Sequence, residues 1–239
     1  MRLKVLFICA AISAMTVSAY TYKMSVENTL SKTEKQQGWK LLFDGKTENG
    51  WRYYQNKPSK SWEASNGTLH SKGSANNYGS INADLMTKEQ YDNFELSMDW
   101  KISPKGNSGI LYLVTEDQES SYLSGPEYQI IDDINFPEKL EDWQKTGANY
   151  AMNAAPAAAP SPVGEWNHTR IIVNKGHVEH WLNGKKIVDY QIGSEEWKKN
   201  KVNGKWKDAP SYGMAKKGYI ALQDHGSEAW FKNIKIRKI

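Results

Sequence analysis

The sequence predicts an all-β fold: a jelly-roll sandwich of two curved antiparallel sheets with one short helix. Three observations carry that expectation. About twelve short segments alternate apolar and polar residues or run apolar, and each is bounded by Gly, Asn, Asp or Pro. Long apolar helical patterns are missing. The 239 residues suit one all-β domain large enough to bury a sizeable core.

The chain divides into three parts. Residues 1–19 read as a secretory signal peptide: Arg2 and Lys4 are basic, residues 5–17 form an apolar run too short to span a membrane comfortably, and Val17-Ser18-Ala19 offers small residues before a cut. The single cysteine, Cys9, lies inside that run. The residues ahead of it, Leu6-Phe7-Ile8, lack the small side chain expected before a lipidated cysteine. An exported chain without cysteine uses no disulfide, so its stability must come from the core. Thiol catalysis and Cys-ligated zinc are excluded. Residues 20–37 are polar and aperiodic and read as a flexible tether. The domain is expected over 38–239.

Within it, strands are predicted at 39–43, 62–64, 68–71, 79–82, 93–102, 108–114, 127–132, 166–174, 177–182, 185–190, 218–223 and 228–237. Asn183-Gly184 is a strong two-residue hairpin signal, and Asn66-Gly67 and Lys175-Gly176 mark further turns. Residues 87–91 could form one helical turn. The best helix is 194–201, with Ser194 as cap and Glu195 and Glu196 in the first turn. Residues 151–162 hold too much proline for a helix and read as a loop. Over 93–102 the apolar Phe94, Leu96, Met98 and Trp100 should face the core. Glu95, Ser97, Asp99 and Lys101 should form a solvated outer face.

Composition excludes some functions. The net charge of +4, lowered by two when Arg2 and Lys4 leave with the signal peptide, is too small to argue for nucleic acid. The lysines at 198, 199 and 201 read as a solvated helix end. There is no HExxH, EF-hand loop or cysteine pair, no phosphate-cradling glycine loop and no nucleophile elbow. No cofactor is therefore expected, and a divalent metal, though compatible with the chain, has no motif to support it. Ten Trp and thirteen Tyr suit a sugar-stacking surface, although several must simply fill the core.

Candidate site residues come from polar positions inside strands. In Glu127-Tyr-Gln-Ile-Ile131, Tyr128 and Ile130 take the core side, which leaves Glu127 and Gln129 on a groove face. Glu is a poor strand former, so its presence here invites a functional role; the alternative is an exposed glutamate outside a sheet. Asn107 opens a strand and could bind a hydroxyl or cap its own turn. Gln223-Asp224-His225-Gly226 places an amide, a carboxylate and an imidazole at a strand tip, which could also be an ordinary hairpin corner. His180 and Trp181 could line a sugar site; His180 could equally be a satisfied structural histidine.

Together these segments resemble a known bacterial family, the 3-keto-disaccharide hydrolase domain. The motifs are Trp39-Lys-Leu-Leu-Phe-Asp-Gly45, Gly50-Trp51, Asn107-Ser-Gly-Ile110, Glu127-Tyr-Gln-Ile-Ile-Asp-Asp133, Gly164-Glu-Trp-Asn167, Val178-Glu-His-Trp-Leu-Asn-Gly184, Leu222-Gln-Asp-His-Gly226 and Phe231-Lys-Asn-Ile234. The resemblance implies a concanavalin A-like jelly roll and cleavage of glycosides whose sugar has been oxidised at C3. It implies His225 and Glu127 as an acid–base pair in either order. Gln129, Gln223 and Asn107 would bind the enolate or hydroxyls, and Asp224 would orient His225. Family members often carry an arginine shortly after Asn-Ser-Gly-Ile. Here that stretch reads Leu111-Tyr-Leu-Val114, so the groove is expected to lack that cation. The expected partner is an oligosaccharide or glycoside, with no membrane span, in the periplasm or at the surface of a Gram-negative cell. Competing readings are an ordinary endo-glycosidase with two flanking carboxylates and a non-catalytic carbohydrate-binding module.

Overall fold

The structure, a computed structural model, describes residues 27–73 and 83–239. The predicted signal peptide and the predicted strand at 79–82 lie outside the described residues. The strands are β1 (Lys40–Leu41), β2 (Trp51–Tyr53), β3 (Trp62–Ser65), β4 (Thr68–Lys72), β5 (Leu85–Thr87), β6 (Phe94–Ile102) and β7 (Asn107–Val114). They continue with β8 (Glu127–Ile131), β9 (Asn167–Asn174), β10 (His177–Leu182), β11 (Lys185–Gln191), β12 (Tyr219–Leu222) and β13 (Glu228–Lys238). Among the described residues, two α-helices, α1 (Lys32–Gln36) and α2 (Glu195–Asn203), complete the set with a few 3-10 turns.

The strands form two antiparallel sheets. The larger runs β11-β10-β9-β6-β13-β4-β3, with β1 added against the far half of β13; the smaller runs β2-β5-β12-β7-β8. This is the predicted two-sheet jelly-roll sandwich. Asn183-Gly184 closes β10 to β11 with both residues at positive φ, which matches the right-handed twist of the flanking strands. Ser194 caps α2 by accepting the Trp197 N–H.

The core lies between the sheets. Phe94, Leu96, Met98 and Trp100 of β6 and Phe231, Ile234 and Ile236 of β13 come from the large sheet; Ile110, Tyr112, Tyr128, Ile130, Ile220 and Leu222 come from the small one. All are buried. The other face of the small sheet has its own apolar patch of Tyr54, Met86, Leu111, Val114 and Ala221. The small sheet is therefore covered on both sides, and its second face carries the site.

Several expectations are corrected. The segment 87–91 forms no helical turn; Thr87 ends β5, and Tyr91 bridges Gly218. Strands β2 and β5 each span three residues, too short to show a period. Residues 27–37 are no tether. Asn28 donates its N–H to Asn233 Oδ1 at 2.7 Å and accepts the Asn233 N–H at 2.9 Å. Ser31 caps α1, and Glu34 pairs with Lys235. Asn233 sits at φ 53, at the bulge where β13 shifts register against β6. That bulge breaks the alternation of β13 and offers Asn28 a docking point. The Gln223–Gly226 tip is no hairpin corner either, because β12 and β13 belong to different sheets.

The outer face of β6 is not solvated throughout. Glu95 and Ser97 are buried. The Glu95 carboxylate accepts from Arg170 Nε at 2.7 Å and from Arg237 Nε at 2.8 Å. Those guanidiniums lie over the rings of Trp181 and Trp39, each 5.0 Å from the ring centroid. Glu95→Ala leaves two adjacent cations without their shared partner and is expected to cost about 2 kcal/mol, because each guanidinium can still turn partly to water. Urea unfolding measures this; a loss under about 0.5 kcal/mol would show the cluster to be ornamental.

Candidate active site

Strand register assembles the site. Antiparallel partners share a face, and here Gly109 pairs with Gln129 and Leu111 with both Glu127 and Ala221. Glu127 and Gln129 therefore lie beside Gly109 on the face away from the core. Gln223 joins them because its N–H donates to the Gly109 carbonyl at 2.9 Å. Its own carbonyl accepts from Ser108 Oγ at 2.8 Å. Asn107, at the start of β7, is anchored through its N–H to Ser227 Oγ at 3.0 Å.

Gly109 is a glycine for a steric reason. A Cβ there would come within 2.2 Å of Glu127 Oε1, so the carboxylate lies directly across the β7 backbone. Gly109→Ala should leave the fold intact, since the atoms that must move belong to the Glu127 side chain, from Cγ outward, and not to the backbone. Displacing that carboxylate by about 1 Å should lower kcat on the order of 100-fold. Steady-state kinetics on the folded variant test this; unchanged kcat would show that the position of Glu127 is immaterial.

A cap of loops covers this face. Tyr122 comes from the turn after β7, Tyr150 from the loop after β8, and Lys205 and Trp206 from the turn after α2. Trp206 donates Nε1–H to the Tyr150 carbonyl at 3.2 Å and stacks on Tyr212 with ring centroids 4.3 Å apart. Lys205 Nζ lies 4.4 Å from the Tyr150 ring centroid and 5.0 Å from that of Trp206. These cation–π contacts fix an ammonium over the groove.

The result is a chamber of about 240 Å³ lined by Asn107, Glu127, Gln129, Gln223, His225 and Lys205, beneath the aromatic cap. A second chamber of about 170 Å³ adjoins it and shares Tyr122, Gln223 and His225. Asp84 and Asp224 line the second chamber, with Lys57 at its edge. Among the described residues, the acceptor oxygens Asn107 Oδ1, Gln223 Oε1 and Asp224 Oδ2 are buried without a hydrogen-bond partner. Buried polar atoms normally have partners, so three such acceptors around one groove mark it as built for a hydroxyl-rich ligand.

Two carboxyls here are perturbed. Glu127 is 4 % exposed, and among the described residues nothing donates to its carboxyl. Burial, reinforced by the nearby Asp84 charge and opposed by Lys205, pushes it up to about 8. Asp84 is pushed up to about 6 by burial, although Ser121 and the Asp224 N–H donate to it. Glu127 is thus largely protonated at neutral pH and can release a proton to a reacting oxygen.

Five of the eight residues expected from sequence line the first chamber: Glu127, Gln129, Asn107, Gln223 and His225. Asp224 lines the second and does not bond His225. Its Oδ1 accepts the Gly226 N–H at 3.0 Å, and its own N–H donates to Asp84 Oδ1 at 2.9 Å. His225 stands exposed at the junction of the chambers.

His180 and Trp181 are not brought to the groove. His180 is fully buried between the sheets, where burial lowers it to about 4. Its Nδ1–H donates to the Gly147 carbonyl at 2.9 Å. The neutral ring then accepts the Tyr112 hydroxyl at Nε2, 2.8 Å away. It is a satisfied core histidine. Trp181 lies on the outer face of the large sheet over Arg170 and donates Nε1–H to Glu179.

Sequence reading missed Asp84, Lys205, Tyr150, Trp206 and the purpose of Gly109. The groove does hold a cation, but Lys205 supplies it from the turn after α2 rather than β7. The signal available was Trp206, a large aromatic beside lysines in what otherwise reads as a solvated stretch. Among the described residues, one further His–carboxylate cluster, His177, Glu179 and Asp189, could hold an ion. The ammonium of Lys186 already lies 2.5 Å from Asp189 and 3.4 Å from Glu179.

Comparison with known proteins agrees with this geometry. Residues 38–237 match the family described as 3-keto-alpha-glucoside-1,2-lyase-like domain. The chain belongs to this family. A Bacteroides thetaiotaomicron protein named 3-keto-disaccharide hydrolase is 35% identical over 227 residues, covering 84% of this chain and 78% of that one. A Parabacteroides distasonis crystal structure, provisionally described as a glycosyl hydrolase, superposes with TM-score 0.83 at 42% identity, covering 90% of this chain and 100% of that one. The carbohydrate-binding module CBM66 of Bacillus subtilis superposes with TM-score 0.51 at 11% identity over 79% of this chain and 96% of its own; it shares the fold. This member of the lyase-like family is accordingly an enzyme of the glycoside hydrolase or lyase class and acts on carbohydrate.

Proposed function

We propose that the enzyme cleaves glycosides of 3-keto sugars by eliminating the C1 substituent and then hydrating the product. The observation that carries this reading is the chamber in which a largely protonated Glu127, a fixed Lys205 ammonium and the His225 imidazole meet. A ketone at C3 acidifies the C2 proton. His225 takes that proton, and the electron pair becomes an enolate whose O3 charge faces Lys205 and the amide of Gln129. Oriented donors of this kind stabilise developing charge most effectively where water is excluded. The enolate reforms the ketone, C1=C2 forms and the C1–O bond breaks, while Glu127 protonates the leaving oxygen. Water then adds its OH to C1 and its hydrogen to C2, giving the free 3-keto sugar. No covalent nucleophile is needed.

The unpartnered acceptors take sugar hydroxyls: Asn107 and Gln223 in the first chamber, Asp224 in the second. Two adjoining chambers that meet at His225 suit a ligand lying across a scissile bond. The basic start and short apolar run of residues 1–19, followed by a cysteine-free chain, support export to the periplasm or surface of a Gram-negative cell.

The test is product analysis with a 3-keto disaccharide and its unoxidised parent, with and without a chelator. Release of 3-keto-glucose or its enone from the oxidised sugar alone supports the reading. Cleavage of the parent sugar overturns it, and chelator sensitivity would add a divalent ion to the chemistry.

A further inference from the structure

A separate cavity of about 710 Å³ lies at the opposite end of β7. Asn107 opens the catalytic chamber, and Leu113, six residues along the strand, floors this one. At the usual strand rise the two are about 20 Å apart. The volume is in the range of small-molecule sites, and nothing in the proposed reaction uses it.

Its construction is deliberate in the physical sense that backbone strain is held there. Leu113 adopts φ 54, the left-handed region, at a bulge where the pairing of β7 with β12 shifts register. By strict alternation Leu113 would follow Leu111 onto the groove face. The bulge instead turns it into the main core cluster beside Tyr112. Gly218 packs against this kink so closely that a Cβ would meet the Leu113 carbonyl carbon at 2.3 Å. Strain of this kind persists where the surroundings fix it, and it clusters at ligand sites.

The lining has two distinct characters. Leu113, Val173, Ile192, Trp197 and Ala215 form an apolar floor. Trp197 is 5 % exposed, and among the described residues its buried indole N–H has no hydrogen-bond partner. The rim carries Lys175, Lys198, Lys216 and Lys217 against the single acid Asp92. Lys198 pairs with Glu195. Among the described residues, Lys175, Lys216 and Lys217 have no carboxylate within ion-pair distance. Asp92 feels the charge of Lys217, yet ammonium groups still outnumber carboxylates around the rim, and an apolar hollow with such an excess attracts a ligand with a greasy body and a negative head.

We propose that this cavity is a second binding site, taking an amphiphilic organic anion of the medium-chain carboxylate type as a free molecule. The aliphatic or aromatic body lies on Leu113, Val173 and Trp197, and the head group meets the lysine rim. The proposal is independent of the reaction assigned to the catalytic groove.

The probes are 8-anilinonaphthalene-1-sulfonate, followed by fluorescence, and decanoate below its micelle concentration, followed by calorimetry. The expected result is one saturable dye site per chain, displaced by decanoate and at least about tenfold less well by 1-decanol. The double charge reversal K216E/K217E should weaken decanoate by roughly tenfold. Ala215→Trp, which fills the floor, should abolish binding. Both variants should keep their thermal transition and their cleavage of the sugar substrate. The absence of a saturable dye site, equal affinity for decanol, or affinity unchanged in both folded variants would overturn the proposal. So would binding seen only with phosphatidylglycerol vesicles, which would make the patch a membrane contact rather than a small-molecule site.

Discussion

Glu127→Gln should lower kcat by about 10²–10⁴ and at the same time make the protein more stable at alkaline pH. The two effects have one cause. A buried carboxyl pushed up to about 8 holds its proton in the folded state at pH values where the unfolded chain has already released it. Between the ordinary carboxyl range near 4.5 and about 8, the folded state therefore binds more protons than the unfolded one. Stability falls as pH rises through that window. Glutamine cannot ionise, so the variant should gain little at pH 4 and progressively more up to pH 8, with no further gain above it. Thermal melts of both proteins across this range measure the difference. A constant offset at all pH values would mean that Glu127 is not perturbed as described. In the wild type, activity should decline as pH rises through about 8 and the acid loses its proton. Retained activity in a folded Glu127→Gln protein would remove Glu127 from the chemistry.

His225→Asn should produce a loss of similar size, about 10²–10⁴ in kcat, with KM little changed. His225 is exposed, and among the described residues no hydrogen bond from it supports the fold, so the thermal transition should stay where it is. Because the imidazole stands at the mouth of the chamber, free imidazole in solution should restore part of the lost rate in a concentration-dependent way. A residue that merely shaped the groove would show no such rescue. Loss of substrate binding without loss of kcat would reassign His225 to recognition.

These expectations rest on a site whose components were unequally visible in the chain. Period-2 alternation placed Tyr128 and Ile130 in the core and so exposed Glu127 and Gln129 as a polar pair on the other face. The same rule puts Gln223 on the face of Ala221 in the segment 218–223. These are properties of one strand and need no partner to read. What joins them is register between strands: Gly109 lies opposite Gln129, and a glycine's role there depends on the side chain that crosses it. Lys205 and Trp206 reach the groove from a turn nearly eighty residues beyond Glu127, so only the closed fold brings them together. His180 shows the converse. Its sequence neighbours suggest a sugar site, whereas a tyrosine on the facing sheet and the Gly147 carbonyl satisfy it inside the core. Glu95 likewise looks solvent-facing by alternation and is buried because Trp39 and Trp181 hold two arginines over it. The strand switch after Gln223 was hidden because β12 and β13 read locally as one hairpin.

The measurement that tests the central claim most directly follows one hydrogen atom. A 3-keto disaccharide deuterated at C2 of the oxidised ring is cleaved by the enzyme, and the released sugar is analysed at early times alongside unreacted substrate. The account predicts a normal primary isotope effect on cleavage and loss of the C2 label from the product, because that C–H bond must break before the glycosidic bond does. A product released with its deuterium in place, at a rate insensitive to the label, would mean direct displacement at C1 and would contradict it.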